Sequence, residues 1–222
     1  MPVSVTHKNL GSRSRAVQTE FRKRQLIDAT IDCIDKFGLS QTTIARIAKR
    51  AGVSQGIVIF HFRSKKALLE QALRELSREH MENWKSAVDN AGADPVSRLC
   101  AMVKSTFTAS ICNRKKISVW FAFWGESRSR PRYMELCGNN DMEFSTTLLS
   151  LCEEIETVSP STLSPQTAAL SIEGMIDGLW QNFLIGPPGF NRQQAMATVF
   201  ELMEVIYPEQ RQSVRQYSVS SN

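Results

Sequence analysis

The sequence predicts an all-α protein in which an N-terminal three-helix domain with a helix-turn-helix is joined to a larger C-terminal helical bundle. Three observations carry this expectation. Apolar residues return at helical spacing along most of the chain. No alternating strand pattern bounded by turns occurs anywhere in it. Residues 42–62, TTIARIAKRAGVSQGIVIFHF, read as two short helices across a tight glycine turn. At 222 residues the chain is long enough for one sizeable core or two small ones.

Residues 1–17 are polar, contain Ser and Arg, and lack periodicity, so they read as a flexible basic arm. The alternative is an arm that lays Arg13 or Arg15 in a DNA minor groove. From about Val17 to Phe37, Ile27, Ile31 and Ile34 recur with helical spacing beside Leu26, Cys33 and Phe37, and Gly38 stops the helix. Ile44, Ile47, Ala48 and Ala51 then fall at i, i+3, i+4 and i+7, giving a second helix with Thr43 as its N-cap. Gly52 can take the left-handed conformation that ends it, and Ser54 can cap the third helix. These elements make a domain over residues 18–64.

Residues 65–208 form the larger domain. Ser64 caps a helix carrying Ala67, Leu68, Leu69, Ala72, Leu73 and Leu76 toward Ala87. After the DNAGADP turn, Pro95 starts another through Leu99, Met102, Val103 and Phe107. Residues 117–126, ISVWFAFWGE, are the most aromatic stretch; SRSRP breaks the pattern, which resumes from Tyr133 to Glu156. The SPSTLSP segment ends that helix. Ala168, Ala169, Ile172, Met175, Ile176, Leu179, Trp180 and Phe183 mark the next, and Gly186 to Gly189 close it. A last helix from Gln193 to Tyr207 precedes Pro208 and a polar tail over residues 209–222.

A hairpin of this kind is the arrangement whose second helix enters the DNA major groove, although αα-hairpins with a glycine turn also occur in proteins that touch no nucleic acid. Lys and Arg outnumber Asp and Glu by 27 to 22. That excess is mild, but Arg13, Arg15, Arg22, Lys23, Arg24, Lys49, Arg50, Arg63, Lys65 and Lys66 gather around the hairpin, where a phosphate-facing surface needs them. A solvated basic face is the plainer reading of the same run. Five singly spread cysteines and three scattered histidines suggest neither a disulfide framework nor a zinc site. No signal peptide or membrane-spanning run is apparent, so a cytoplasmic protein with reduced thiols is expected. Glu153, Glu154 and Glu156 lack an accompanying His or phosphate loop, and neither enzymatic activity nor a cofactor is expected.

The segment from Arg22 to Leu76 strongly resembles the DNA-binding domain of TetR-family transcriptional repressors through the long pattern TTIxxIAxxAGVSxGxxxxHFxSKxxLL. The resemblance implies that Gln55, Gly56 and Ile57, following Ser54 at the head of the recognition helix, face bases. Gln can bond bidentately to adenine, Gly permits close approach, and Ile can touch a thymine methyl. It further implies that Thr43, His61 and Lys65 meet phosphates, with packing on the helix pair as the other reading of His61. Where many relatives carry tyrosines this chain has Ile59 and Phe60, and Ala45 lacks an arginine that some relatives use on a base. Affinity should therefore lean on lysine, arginine and backbone contacts.

WFAFWGESRSRP at 120–131 and IDGLW at 176–180 look like the corresponding segments of choline-responsive repressors in that family. Trp120 shares a helix face with Phe123 or Trp124. Such a stripe is commonly core, but the resemblance implies a box whose aromatic faces hold a quaternary ammonium, with Trp180 as another wall. Glu126 and Asp177 could balance the charge, or could cap a helix or pair with an arginine. The resemblance also implies a homodimer through the last two helices, residues 166–185 and 191–207, with Ala168, Ala169, Gly174 and Gly178 allowing close approach. Such a dimer would read a palindromic double-stranded operator and release it on binding choline, controlling glycine betaine synthesis. Another cationic or hydrophobic effector is the alternative.

Overall fold

The computed structural model describes the backbone of residues 8–127, 131–186 and 189–219, and the side chains of residues 15–125, 131–186 and 189–218. Among the described residues every regular element is helical. The chain divides into two compact units, Met1–Ala72 and Leu73–Asn222.

The first unit comprises α1 (Lys8–Gln41), α2 (Ile44–Ala51), α3 (Gln55–Phe62) and the first turns of α4 (Lys65–Asn90). Its core holds Leu26, Ile27, Ile31 and Ile34 of α1, Ile47 and Ala48 of α2, Val58 and Phe62 of α3, and Leu68 of α4. Gly38 interrupts α1 with φ 74° and ψ 168°, a break at the expected position. Gly52, at φ 65° and ψ 35°, ends α2 in the left-handed region and donates its N–H to the carbonyls of Ala48 and Lys49. Gln25 Nε2 donates to the Ala51 carbonyl at 2.7 Å, satisfying a terminal acceptor of α2 from α1.

One expectation changes here. Residues 8–17 are helical, so the stretch read as a flexible arm overlaps the start of α1. Lys, Leu, Arg and Ala favour helix by propensity without forming an apolar stripe, so a search for periodicity passes over them. Val17 and Phe21 remain exposed on this extension. Residues 1–7 and the Arg13 side chain lie outside the described residues.

The second unit contains the remainder of α4 with α5 (Pro95–Thr106), α6 (Arg114–Ser127), α7 (Pro131–Val158), α8 (Pro165–Ile185), α9 (Arg192–Ile206) and α10 (Arg211–Val219). Helix α7 packs on α5 and α8, and α8 also meets α6 and α9. Leu99, Met102 and Val103 of α5, Ile117 of α6, Leu148 and Leu151 of α7, Ile172 of α8 and Val199 of α9 are fully or almost fully buried. Asp94, Ser164 and Asn191 cap α5, α8 and α9, each accepting a backbone N–H three residues on.

The polar tail expected over residues 209–222 is instead largely helix α10, docked on α5 and α9. Val214 is completely buried, and Arg215 Nε lies 2.9 Å from Glu204 Oε2. A single apolar anchor leaves no periodic trace; only the groove that receives Val214 makes it significant.

Candidate functional site

The hairpin of the first unit is built by local chemistry. Thr43 Oγ1 accepts the Arg46 N–H at 3.3 Å, and Ser54 Oγ accepts that of Ile57 at 3.4 Å, so both short helices begin at capped N-termini. In α3 only Val58 and Phe62 are buried. Gln55, Gly56, Ile57, Ile59 and Phe60 are exposed. His61 is half-buried, its ring edge-on to Phe60 with centroids 5.1 Å apart. Lys65 Nζ donates to the Ser40 carbonyl at 3.4 Å, holding the start of α4 to the end of α1. Basic groups surround the hairpin with defined partners: Arg46 lies 4.4 Å from the centre of the Phe37 ring, and Arg50 Nε donates to Asp32 Oδ2 at 2.6 Å. The residues expected at DNA thus fall on the two capped helix starts, on the exposed side of α3 and at the α4 N-terminus.

The second unit contains a cavity of about 190 Å3. Its aromatic wall comes from four helices: His80 of α4, Trp120 and Trp124 of α6, Tyr133 and Phe144 of α7, and Trp180 of α8. Three carboxylates join them, Asp141 from α7 with Glu173 and Asp177 from α8, while Thr106 and Ile176 complete the lining. No Lys or Arg is among the described lining residues. The rings support one another: His80 stands nearly perpendicular to Trp180 at 5.7 Å and to Trp120 at 6.4 Å, and Trp120 meets Trp124 at 6.2 Å.

Hydrogen bonds hold part of this wall. Trp124 Nε1 donates to the Tyr133 hydroxyl, which donates to Asp141 Oδ2 at 3.1 Å. Ser145 Oγ donates to Glu173 Oε1 at 2.7 Å. The Trp180 Nε1–H is buried and has no acceptor among the described residues.

The electrostatics follow from burial. Loss of water pushes the Asp141 carboxyl up to about 6, helped by Glu173, while the Tyr133 hydrogen bond opposes the shift. Asp177 is pushed up to about 7, first by burial, then by Glu173 and Asp141. It nevertheless keeps an exposed edge, where water screens that repulsion, so Asp141 is the more securely perturbed group. Burial lowers His80 to about 4, keeping its ring neutral near neutral pH. The described lining therefore concentrates negative charge and ring faces and contributes no formal positive charge.

Of the residues expected at a ligand, Trp120, Trp124, Asp177 and Trp180 line this cavity together. Phe123 does not; three residues from Trp120 and one before Trp124, it is turned off the axis they share. The Glu126 side chain lies outside the described residues. Sequence reasoning missed His80, Tyr133, Asp141, Phe144 and Glu173. A signal existed for three of them: Glu173 lies one turn before Asp177 and two before Trp180, and Tyr133 and Asp141 recur at i and i+8.

Comparison with known proteins follows the same division. Residues 26–72 match the family of bacterial regulatory proteins, tetR family, and residues 95–207 match the BetI-type transcriptional repressor, C-terminal. The HTH-type transcriptional regulator BetI of Yersinia pestis (strain Pestoides F) is 35% identical over 184 residues, covering 82% of this chain and 91% of that protein. BetI 1 of Chromohalobacter salexigens is 34% identical over 183 residues, covering 82% and 89%. Among solved structures, a transcriptional regulator from Saccharomonospora viridis in complex with choline is similar at TM-score 0.73 and 22% identity, over 83% of this chain and 96% of that one. FadR from Bacillus subtilis in complex with stearoyl-CoA reaches TM-score 0.67 at 19% identity, over 83% and 99%. At those identities the likeness concerns the fold, and the fold alone does not select the ligand.

Proposed function

We propose that this chain, which belongs to the TetR family of bacterial regulatory proteins and carries a BetI-type transcriptional repressor domain, takes choline as its effector and controls synthesis of glycine betaine from choline. Its family role is that of a DNA-binding transcriptional repressor. The observation that carries the effector is the union of aromatic faces and three carboxylates in one cavity, with no Lys or Arg among its described lining residues. A quaternary ammonium has no N–H to donate, so it is held by ring quadrupoles and by anions acting through space. A neutral hydrophobic effector would leave these partly buried carboxylates without a counter-charge, which speaks against that alternative.

DNA recognition in this reading uses Gln55, Gly56 and Ile57, behind the Ser54 cap, on bases, and Thr43, His61 and Lys65 on phosphates. Helix α4 carries Lys65 at its start and His80 in the cavity wall, giving a covalent route between the two sites. Choline acts by binding more tightly to the dimer state with lower operator affinity. The test compares choline with its neutral isostere, in which carbon replaces the ammonium nitrogen. Choline is expected to release operator DNA and quench tryptophan fluorescence at millimolar levels, with the isostere roughly tenfold weaker or more. Equal release by the isostere would sink the reading.

The protein works as a cytoplasmic regulator, not an enzyme; among the described residues no helix is long and apolar enough to cross a membrane. It acts as a homodimer through α8 and α9 on a palindromic operator. Ala168 and Ala169 are buried within the chain itself, so they are not the contact surface expected from sequence. Leu170, Gly174 and Gly178 instead form an exposed row at i, i+4 and i+8, and Val205 of α9 is also exposed. Apart from its chain neighbours and the backbone of its own helix, nothing lies within 4 Å of the place a Cβ would take at Gly178, so Gly178→Arg should fold. Placed between two copies, its charge is expected to weaken the dimer roughly tenfold or more, read by sedimentation. An unchanged dimer constant would move the interface elsewhere.

A further inference from the structure

Helix α3, QGIVIFHF, contains no carboxylate, lysine or arginine, yet much of its apolar side is open to water. Phe60 is 80% exposed, Ile59 44% and Ile57 37%. Val58 and Phe62 define the inward side, and Phe60 lies about 200° around the axis from each, so it projects directly outward. Gly56 occupies almost the same bearing one turn earlier, where the missing side chain leaves room for close approach of backbone to a partner. Ile57 and Ile59 flank this line on its two sides. Exposed apolar groups of this size on a short helix lower solubility unless a partner covers them.

The surroundings identify that partner as duplex DNA. Lys49 and Arg50 occupy the last turn of α2, while Arg63, Lys65 and Lys66 follow α3, so cationic residues bracket the apolar row on both sides in the chain. A polyanion with an apolar feature in a recessed groove fits this order, and the thymine C5-methyl is that feature in the major groove. Adenine, guanine and cytosine carry no methyl group there.

We infer that Phe60, Ile59 and Ile57 form an apolar reader of thymine methyl groups, so that sequence preference rests on two or more thymines per operator half-site as well as on the base contact of Gln55. The inference rests on α3 being the base-reading helix. Phosphate contacts come from the flanking cations together with Thr43 and His61, whereas the outward side of α3 adds apolar contact to the polar base contact of Gln55.

The test uses the full chain and an operator enriched from genomic fragments. Deoxyuridine is substituted for each thymine of a half-site in turn, which deletes the methyl and keeps Watson–Crick pairing. The expected result is about a fourfold loss of affinity at each thymine whose methyl becomes buried, at two or more positions per half-site. Phe60→Ala, at an exposed position that should not disturb folding, is expected to weaken the thymine operator similarly and to abolish discrimination at one of those positions. Ile59→Ala should do the same at a different position. If the operator binds tightly but every deoxyuridine substitution is silent, the methyl reader is overturned while DNA recognition by this helix stands. If Phe60→Ala changes oligomeric state and leaves the thymine-to-uracil ratio unaltered, the row belongs to a protein contact and the inference fails. If no fragment is enriched and Gln55→Ala is also without effect on DNA, the base-reading assignment of α3 falls and the inference with it.

Discussion

Trp180→Ala is expected to abolish the choline response while leaving operator binding in the absence of choline intact. Trp180 is 4% exposed and touches His80 edge to face, so its truncation removes both a wall of the cavity and part of the core. The core loss should be about 3–5 kcal/mol, because the surrounding helices only partly close the hole. For a unit of this size that lowers the melting temperature by roughly 6–20 °C. Loss of the ring face removes a further 0.5–2 kcal/mol, roughly, of attraction for the cation. Trp180→Phe separates these effects. It fills much of the space and restores stability, but offers a weaker ring face and no N–H, so the choline concentration for release should remain raised several-fold. A Trp180→Phe protein with parental choline sensitivity would exclude the indole from recognition.

Choline affinity should rise about tenfold from about pH 5 to about pH 8, following ionisation of Asp141. The carboxyl of Asp141 is raised to about 6, so in acid it holds a proton that an ordinary aspartate has lost. A cation entering at low pH must displace that proton, whereas at high pH it meets a carboxylate. Asp177, raised to about 7, works in the same direction, muted by its exposed edge. His80, lowered to about 4, stays neutral across this range and adds no opposing charge. Without the cation, the two raised carboxyls bind more protons folded than unfolded between their ordinary value of 3.8 and about 7, so they destabilise the protein as pH rises through that window. Choline should therefore increase thermal stability more at pH 8 than at pH 5. Asp141→Asn keeps an acceptor for Tyr133 and should flatten most of the affinity profile in a fluorescence titration. Tighter choline binding in acid would contradict the assigned electrostatics.

Chain order alone specified the helix-turn-helix. Thr43, Gly52 and Ser54 act within one turn of their own positions, through a side-chain oxygen bonded three residues on or a backbone angle that glycine adopts without strain. The pairing of Trp120 with Trp124 was legible for a related reason, since both lie on one helix face, whereas Asp177 and Trp180 were marked by the resemblance of the IDGLW segment. Their meeting with His80, Tyr133 and Asp141 was not legible, because no local rule says which polar face of one helix another helix will cover. Phe123 shows the same limit, since the aromatic stretch of α6 is wider than the side that faces the cavity.

The family of the chain, its helical class and its capped reading head were determined by sequence, through interactions that span a few residues or patterns that repeat along one helix. Tertiary structure alone decided that α10 docks through Val214, that Ala168 turns inward while Gly174 and Gly178 stay open, and that three carboxylates share one aromatic cavity. These features join helices distant in the chain, and each depends on burial that exists only when those helices pack together.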